Sequence, residues 1–373
     1  MKNVMGLINL NEREEHLKDL TYDRTLGAVH FGGRYRLIDF ILSNMVNSGI
    51  KNVGVYPQSR FRSLMDHLRS GKEWDLDRKK DGLNILPPPY TKDHQKMYHG
   101  DLDKIYAHRD YLYNSDQEEL IISGANMICS IDFREVIQYH RDMEADITMV
   151  YTKTEAGEND ELPLGIRLAT DMNERVVSLE VEPENTNLNK IGMEMYVLSK
   201  PLLFQIMNTC LSRGEYNFVK SGLVKNLHSL NIRGYYFDGY VGRITSLTNY
   251  YQHSLELLYP VIWQELFYQN GPIYTKVKDE APTKYYHDSH VKNSLIASGC
   301  IIKGDVENSL LFRRVKIEEG ATVKNSIVLP RSTVRDGARI ENVVLDKDVQ
   351  ISKGREIKGE TNYPVIVGRK SVI

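Results

Sequence analysis

The stretch "NSIVLPRSTVRDGARIENVVL", Asn325 to Leu345, decides the fold of the C-terminal part of the chain. It sets an asparagine before an apolar run, then an apolar residue, a glycine and a second apolar residue, and it ends on a second asparagine-led run. The frame apolar-x-x-Gly-x-x-apolar recurs at Ile317-Gly320-Val323, Val334-Gly337-Ile340 and Ile351-Gly354-Ile357, with the glycines 17 residues apart. Asn308, Asn325 and Asn342 keep the same interval. Such a period accommodates three short strands per coil, each turn needing a glycine or asparagine that tolerates positive φ. The pattern predicts a left-handed parallel β-helix of hexapeptide repeats over residues 289–373. An ordinary β-sandwich would not hold this register, and a coil of this kind needs about three or more turns to bury its apolar edge.

Upstream the texture differs. From Val4 to Tyr259, short β-branched runs alternate with helical periods: "VMGLINL" predicts a strand, "LIDFILSNMVNSG" a helix closed by Gly49, and "KNVGVY" a further strand. "ELIISG", "DFREVIQYHRDM" and "ADITMVYT" predict a second unit of the same kind. Alternation of this sort implies an α/β domain over 1–259 with a mostly parallel sheet, whose ligands sit at the carboxyl ends of the strands. A turn-rich linker is expected over 260–288. With 373 residues, two domains with real cores are the natural division.

Composition excludes several classes of function. A formal charge of -2, without long runs of one sign, argues against nucleic acid or an anionic membrane held by bulk electrostatics. Cys129, Cys210 and Cys300 are widely separated, odd in number and lack metal-site spacing, so buried thiols in a reducing compartment are expected. The N-terminus fits a first strand better than a signal sequence, and no apolar run approaches membrane-spanning length. A cytoplasmic protein is expected.

"AVHFGGRYRLIDFILSNMVNSGIKNVGV" (Ala28 to Val55), "WDLDR" (Trp74 to Arg78) and "LNILPP" (Leu83 to Pro88) resemble the N-terminal region of glucose-1-phosphate adenylyltransferases, also called ADP-glucose pyrophosphorylases. The resemblance continues through "ADITMVYT" and "GYVGRITSL" into the repeats and covers almost the whole chain. It implies a nucleotidyltransferase-like Rossmann domain, an appended β-helix that serves assembly, a tetramer, and a role in making ADP-glucose. In that family, glucose 1-phosphate attacks the α-phosphorus of ATP, so a triphosphate, Mg²⁺ and an anionic nucleophile must be held together.

Matched residue by residue, those requirements fail here. The family's G-G-x-G-x-R-L loop falls on Asn11, Glu12, Arg13, Glu14, Glu15, His16 and Leu17. Main-chain N–H groups cannot approach phosphate there as they do in a glycine loop. A carboxylate ~4 Å from a phosphate is repulsive by about 4 kcal/mol even at an effective dielectric of ~20. The family's phosphate-neutralising lysine becomes Leu26, and the aspartate of its "GDH" metal motif becomes Ala125, followed by Asn126. The second metal aspartate, of "DVGT", becomes Tyr240, with Arg243 for the threonine, and the sugar-phosphate lysine of "EKP" becomes Glu182. "GDLDK" (Gly100 to Lys104) replaces the small residues of "GTADA". Mg²⁺ prefers hard anionic oxygens, which neither alanine nor tyrosine offers. Asp238 and Asp132 are the candidates for compensation.

What is retained lies elsewhere. Arg24, His30 and Arg36 match residues that in related bacterial enzymes line an effector site for sugar bisphosphates or nucleotide monophosphates, and Arg34 stands where the family often has lysine. Two guanidinium forks and a histidine make a credible anion pocket, with surface arginines as the plainer reading. Arg339 is a candidate contribution from the β-helix. The resemblance is to the degenerate, GlgD-type subunits of the family. It implies a non-catalytic or weakly active regulatory subunit in glycogen biosynthesis, binding no cofactor itself, in a heterotetramer with a catalytic GlgC-type subunit that uses Mg²⁺. A homo-oligomer is possible for the chain alone. The alternatives are an adenylyltransferase weakly active in its own right and a sugar-phosphate-sensing binding protein. Acyl transfer on the β-helix would need a base such as His287 or His290.

Overall fold

The computed structural model describes residues 1–10, 17–88, 98–153 and 165–373. Val4–Leu10 forms the central strand of a nine-stranded sheet, flanked in parallel by Asn52–Pro57 and Glu119–Ser123. Its side chains are buried on both faces, as a central parallel strand requires. The crossover to Asn52–Pro57 runs through the helix Leu37–Asn47 and leaves it at Gly49, whose φ is +85°. A Cβ on Gly6 would stand 2.5 Å from the Met45 sulfur, so glycine lets that helix settle onto the strand.

The second expected unit differs from a simple crossover. Glu119–Ser123 and Ile147–Lys153 are joined by the helix Phe133–Asp142, whose N-cap Asp132 accepts a hydrogen bond from the Arg134 N–H. The two strands do not pair with each other. Lys190–Ser199 lies between them, antiparallel to both, with a register shift between Gly192 and Tyr196. Val176–Val181 pairs antiparallel with Ile166–Thr170 at one edge, and Ile232–Tyr236 pairs in parallel with Ile147–Lys153. The sheet is therefore mixed and mostly parallel.

The C-terminal domain is a left-handed β-helix built from three five-stranded parallel sheets. Ile317, Val334 and Ile351 stack in one of them, and the coil interior is filled by residues such as Ile302, Val323 and Ile340. Gly320, Gly337 and Gly354 have φ of 66°, 65° and 66°, and Asn308, Asn325 and Asn342 have 48°, 44° and 54°, as the repeat demands. The serines after Asn308 and Asn325 form a ladder: Ser309 Oγ accepts from the Ser326 N–H at 3.0 Å, and Ser326 Oγ from the Val343 N–H at 3.2 Å.

Within 260–288, where a linker is expected, the helix Pro260–Tyr268 opens with proline in its first turn, and the first coil strand is Lys284–Tyr285. Leu266 and Phe267 of that helix enter a core shared by both domains, together with Phe31, Phe40, Tyr250, Leu310, Phe312, Ile327 and Val344. Tyr250 Oη donates to the His30 carbonyl at 2.8 Å, and Tyr251 Oη to the Asn325 carbonyl at 2.6 Å. The coil is thus welded to the α/β domain. Cys129, Cys210 and Cys300 are buried and unbridged. Among the described residues no helix is long and apolar enough to cross a membrane.

Candidate functional site

The carboxyl ends of Val4–Leu10 and Glu119–Ser123 open into a cleft of about 170 Å³, lined in part by Asn9, Ser123, Asn126, Tyr196 and Arg243. Asn11, Glu12, Glu14 and their neighbours Arg13, Glu15 and His16 lie outside the described residues. Leu26 lines the cleft as a buried apolar side chain. Ala125 is fully buried, and Asn126, also buried, lines the cleft beside it. Glu182, at φ +54°, faces the same cleft.

Tyr240 is engaged elsewhere. Its hydroxyl donates to Glu256 Oε2 at 2.6 Å and lies 3.1 Å from His253 Nδ1, while its N–H donates to Glu265. Burial and the Glu256 carboxylate push the Tyr240 phenol far up. Burial would raise Glu256 as well, but the hydrogen bonds from His253 and Tyr240 outweigh it and hold the carboxyl at about 2. Asp132 caps its helix and pairs with Arg134, and Asp238 accepts from Tyr236 Oη at 2.9 Å. In "GDLDK", Asp103 accepts from the N–H groups of His99 and Gly100 and starts the helix Asp101–Ala107. A Cβ on Gly100 would meet the Tyr216 carbonyl at 2.4 Å. Burial raises Asp101 to about 6.

The effector candidates come together at the domain boundary. Arg24, His30 and Arg36 are buried, with relative exposures of 3%, 7% and 9%. Arg24 pairs with the buried Asp346 of the coil and with Asp23, yet its Nη1 has no hydrogen-bond partner among the described residues, and nor does His30 Nδ1. Arg36 donates to the Ser63 carbonyl at 2.6 Å. Its N–H donates to Asp39, which in turn lies 2.6 Å from His67 Nε2. Trp74 of "WDLDR" is buried edge-on against His67, so that segment packs onto the support of Arg36.

Lys347 of the coil completes the cluster. Burial first, then the nearby Arg36, Arg24, Arg331 and Arg369, pulls its ammonium down to about 7. Burial together with Arg36, Lys347 and Arg24 likewise holds His30 well below the usual imidazole range, and burial brings Arg36 to about 10. Lys276 and Lys278, from the segment before the coil, feel the same field.

Arg34 is not part of this set. It is exposed and lies 5.3 Å over the Tyr35 ring, nearest in charge to Arg313. Arg339 is on a different face of the coil, in register with Thr322 and Glu356. Lys347, Arg331 and Asp346 were the residues to find in its place. The repeat carried a signal for Arg331 alone: Arg314, Arg331 and Asp348 keep the 17-residue step and share a corner with φ of 60°, 64° and 61°. His287 and His290 are exposed and paired with Asp288 and Asp305.

Two family models divide the chain where the fold does: a nucleotidyl transferase matches residues 14–255, and a GlmU-like C-terminal hexapeptide matches 281–362. Glycogen biosynthesis protein GlgD of Bacillus subtilis (strain 168) is 41% identical over 370 residues, which covers 99% of this chain and 96% of that protein. The chain belongs to the glucose-1-phosphate adenylyltransferase family, as a GlgD-type member. Glycogen biosynthesis protein GlgD of Geobacillus stearothermophilus is 38% identical, across 86% of this chain and 82% of its own. A glucose-1-phosphate adenylyltransferase of Thermosipho africanus is 32% identical, across 87% and 78%. The family implies Mg²⁺ at the strand ends. The residues at the two matched positions do not fit it, since Asn126 offers an amide and Tyr240 a phenol already bound to Glu256, and among the described residues no three His, Cys, Asp or Glu side chains come together as a metal site.

Proposed function

We propose that this chain is a regulatory subunit of ADP-glucose pyrophosphorylase. It binds an anionic effector between its domains and acts through a catalytic GlgC-type subunit, in a cytoplasmic hetero-oligomer. The partner performs the reaction of ATP with glucose 1-phosphate and holds the Mg²⁺. The observation that carries this reading is the Arg24–Arg36–Lys347 cluster: three cations drawn from two domains, the two arginines buried and Lys347 half-buried, with Asp346 as the buried carboxylate paired to Arg24. An anion there would tighten one arrangement of coil against α/β domain. Contacts with a partner that differ between arrangements then shift that partner's equilibrium, as regulation requires.

The test compares ADP-glucose synthesis by the chain alone, by a catalytic relative alone and by the two co-expressed, with the mass of the complex recorded. A low rate alone and a raised rate in a mixed oligomer are expected. Turnover by the isolated chain comparable to its relative would overturn the reading and favour the weakly active enzyme. Effector binding with no complex would favour the sugar-phosphate sensor.

A further inference from the structure

The nineteen residues from Leu257 to Thr275 carry a single charge, Glu265. At the chain's overall 26% of charged residues, about five would be expected there. Part of the deficit has a plain cause. Leu266 and Phe267 of the helix Pro260–Tyr268 enter the core shared by both domains, where Phe267 lies 5.0 Å from the Tyr35 ring and 4.2 Å from that of Trp263. The opposite face has no such cause. Val261 and Tyr268, seven residues apart and so two turns along one stripe, are 75% and 72% exposed, and Tyr259 at the N-cap is 64% exposed.

A surface helix ordinarily sets charged residues opposite its buried face, whereas one that is apolar all round is covered on every side. Glu265 does not supply the missing polar face. Its carboxylate is turned inward to accept from the Tyr240 N–H, and a Cβ on Gly239 would stand 2.8 Å from its Oε1. Gln264, exposed between Val261 and Tyr268, is the only other residue of the helix outside the apolar and aromatic classes. A charge-free stripe rich in tyrosine has the composition of an interface core.

The stripe is also symmetric about its own middle. Reversed end for end, it sets Tyr268 over Val261, a large side chain over a small one, and brings Gln264 beside Gln264, whose amides each offer both a donor and an acceptor. A charged partner would find nothing to pair with on it. We propose that the helix Pro260–Tyr268 packs antiparallel against the same helix of a second copy of this chain, about a two-fold axis that passes beside Gln264. Tyr259 and Tyr268 expose about 100–180 Å² each, and with Val261, Pro260 and the edges of Leu258 and Ile262 the patch reaches about 400–500 Å², a size that is often functional on a monomer. A two-fold contact buries it on both copies, about 800–1,000 Å² in all. That lies at the low end for a specific interface, so a reversible dimer with a dissociation constant on the order of 10 μM is expected. The contact is separate from the coil faces and does not depend on the anion cluster.

Sedimentation of the full chain from about 1 to about 100 μM, a range that brackets the expected constant, would show this association. Val261→Glu combined with Tyr268→Glu, both at exposed positions, is expected to weaken it about tenfold or more, with melting curves to confirm that the variant is folded. Cysteine pairing reads the geometry independently, because the three native cysteines are buried. Under mild oxidation Gln264→Cys should form linked dimers much faster than Met172→Cys, which is fully exposed elsewhere. Val261→Cys mixed with Tyr268→Cys should link faster than either does with itself. A chain that stays monomeric throughout, an association unchanged in the folded glutamate variant, or Gln264→Cys linking no faster than Met172→Cys overturns the proposal. So does a glutamate variant that still self-associates but no longer binds a catalytic relative, which would give the face to that partner instead.

Discussion

The Arg24 guanidinium and the Asp346 carboxylate, 322 residues apart in the chain, form an ion pair buried on both sides at 3% and 1% exposure. Asp346 also accepts from the Lys347 N–H at 2.7 Å, so the coil presents its carboxylate in a fixed orientation. Breaking a buried pair by removing one partner typically costs about 3–5 kcal/mol, because the other charge stays behind. Asp346→Asn is expected to lower stability by about 3 kcal/mol, since it leaves Arg24 among Arg36 and Lys347 with only the more exposed Asp23 as counter-charge. The same variant should gain more stability from added sulfate than the parent does. Arg24→Met should cost a similar amount, and the double variant less than the sum of the two. Urea denaturation with and without sulfate reads all three.

For an anion at the proposed site, Lys347 should tie affinity to pH. Its folded value of about 7 lies below the ordinary lysine value of ~10.4, so the unfolded chain binds more protons between them. Stability should therefore fall as pH drops from about 10 to about 7 and level off below that. A bound anion favours the charged ammonium and draws a proton onto it. Sulfate, whose charge is constant over this range, should bind more tightly as pH falls from about 9 to about 7, by up to about tenfold per unit. Lys347→Met should abolish that slope and raise stability at pH 7. Calorimetry in buffers of different ionisation enthalpy would show the proton uptake directly.

Tyr240 gives a prediction of opposite sign. Its hydroxyl stabilises the charged form of Glu256, held at about 2 against an ordinary glutamate value of ~4.3. A depressed carboxyl contributes stability that is fully present above the unfolded value and lost as pH falls through the folded one. Tyr240→Phe should cost about 1–2 kcal/mol at pH 7, and the gap should narrow between about pH 4 and pH 2. Tyr240→Asp should not create adenylyltransferase activity. It would set a carboxylate beside Glu256 and Glu265 and destabilise the chain more than phenylalanine does.

Legibility in the sequence followed locality. The first crossover and the coil were readable because their signals are periodic: Gly49 ends a helix, and Asn308, Asn325 and Asn342 recur where the backbone needs positive φ. The insertion of Lys190–Ser199 between two strands was not readable, since antiparallel pairing across such a separation leaves no mark on neighbouring residues. Pro260 marked a helix start that turn-rich composition downstream concealed. At the candidate site, Arg24, His30 and Arg36 could be matched by position, but Lys347 and Asp346 gain their meaning only where the coil meets the α/β domain. Arg339 was misplaced for the same reason: which of three sheet faces a coil residue occupies depends on docking. The identity of Tyr240 could be read directly, whereas its partner Glu256 could not, because the helix Leu247–Glu256 folds back over the strand end.

Two positions of the same repeat separate backbone strain from side-chain work. Gly337, at φ +65°, has open space around a built Cβ, so Gly337→Ala pays only the left-handed conformation, roughly 1–2 kcal/mol. Asn342, at φ +54°, is 5% exposed; its Nδ2 donates to the Gly359 carbonyl at 3.0 Å and its Oδ1 lies 3.3 Å from Tyr251 Oη. Asn342→Ala adds the loss of both contacts to the same backbone cost, and leaving a buried carbonyl unpaired typically costs about 1–3 kcal/mol. It should therefore be less stable than Gly337→Ala by about 1–3 kcal/mol. Asn342→Gly, which relieves the backbone but restores neither hydrogen bond, should fall between the parent and Asn342→Ala. Tyr251 belongs to the helix that joins the coil to the α/β domain, so the Asn342 variants should also weaken sulfate binding at the Arg24 cluster, whereas Gly337→Ala should not. Thermal melts and sulfate titrations of the three variants test the ordering. Equal losses at both positions would show that strain alone fixes the repeat.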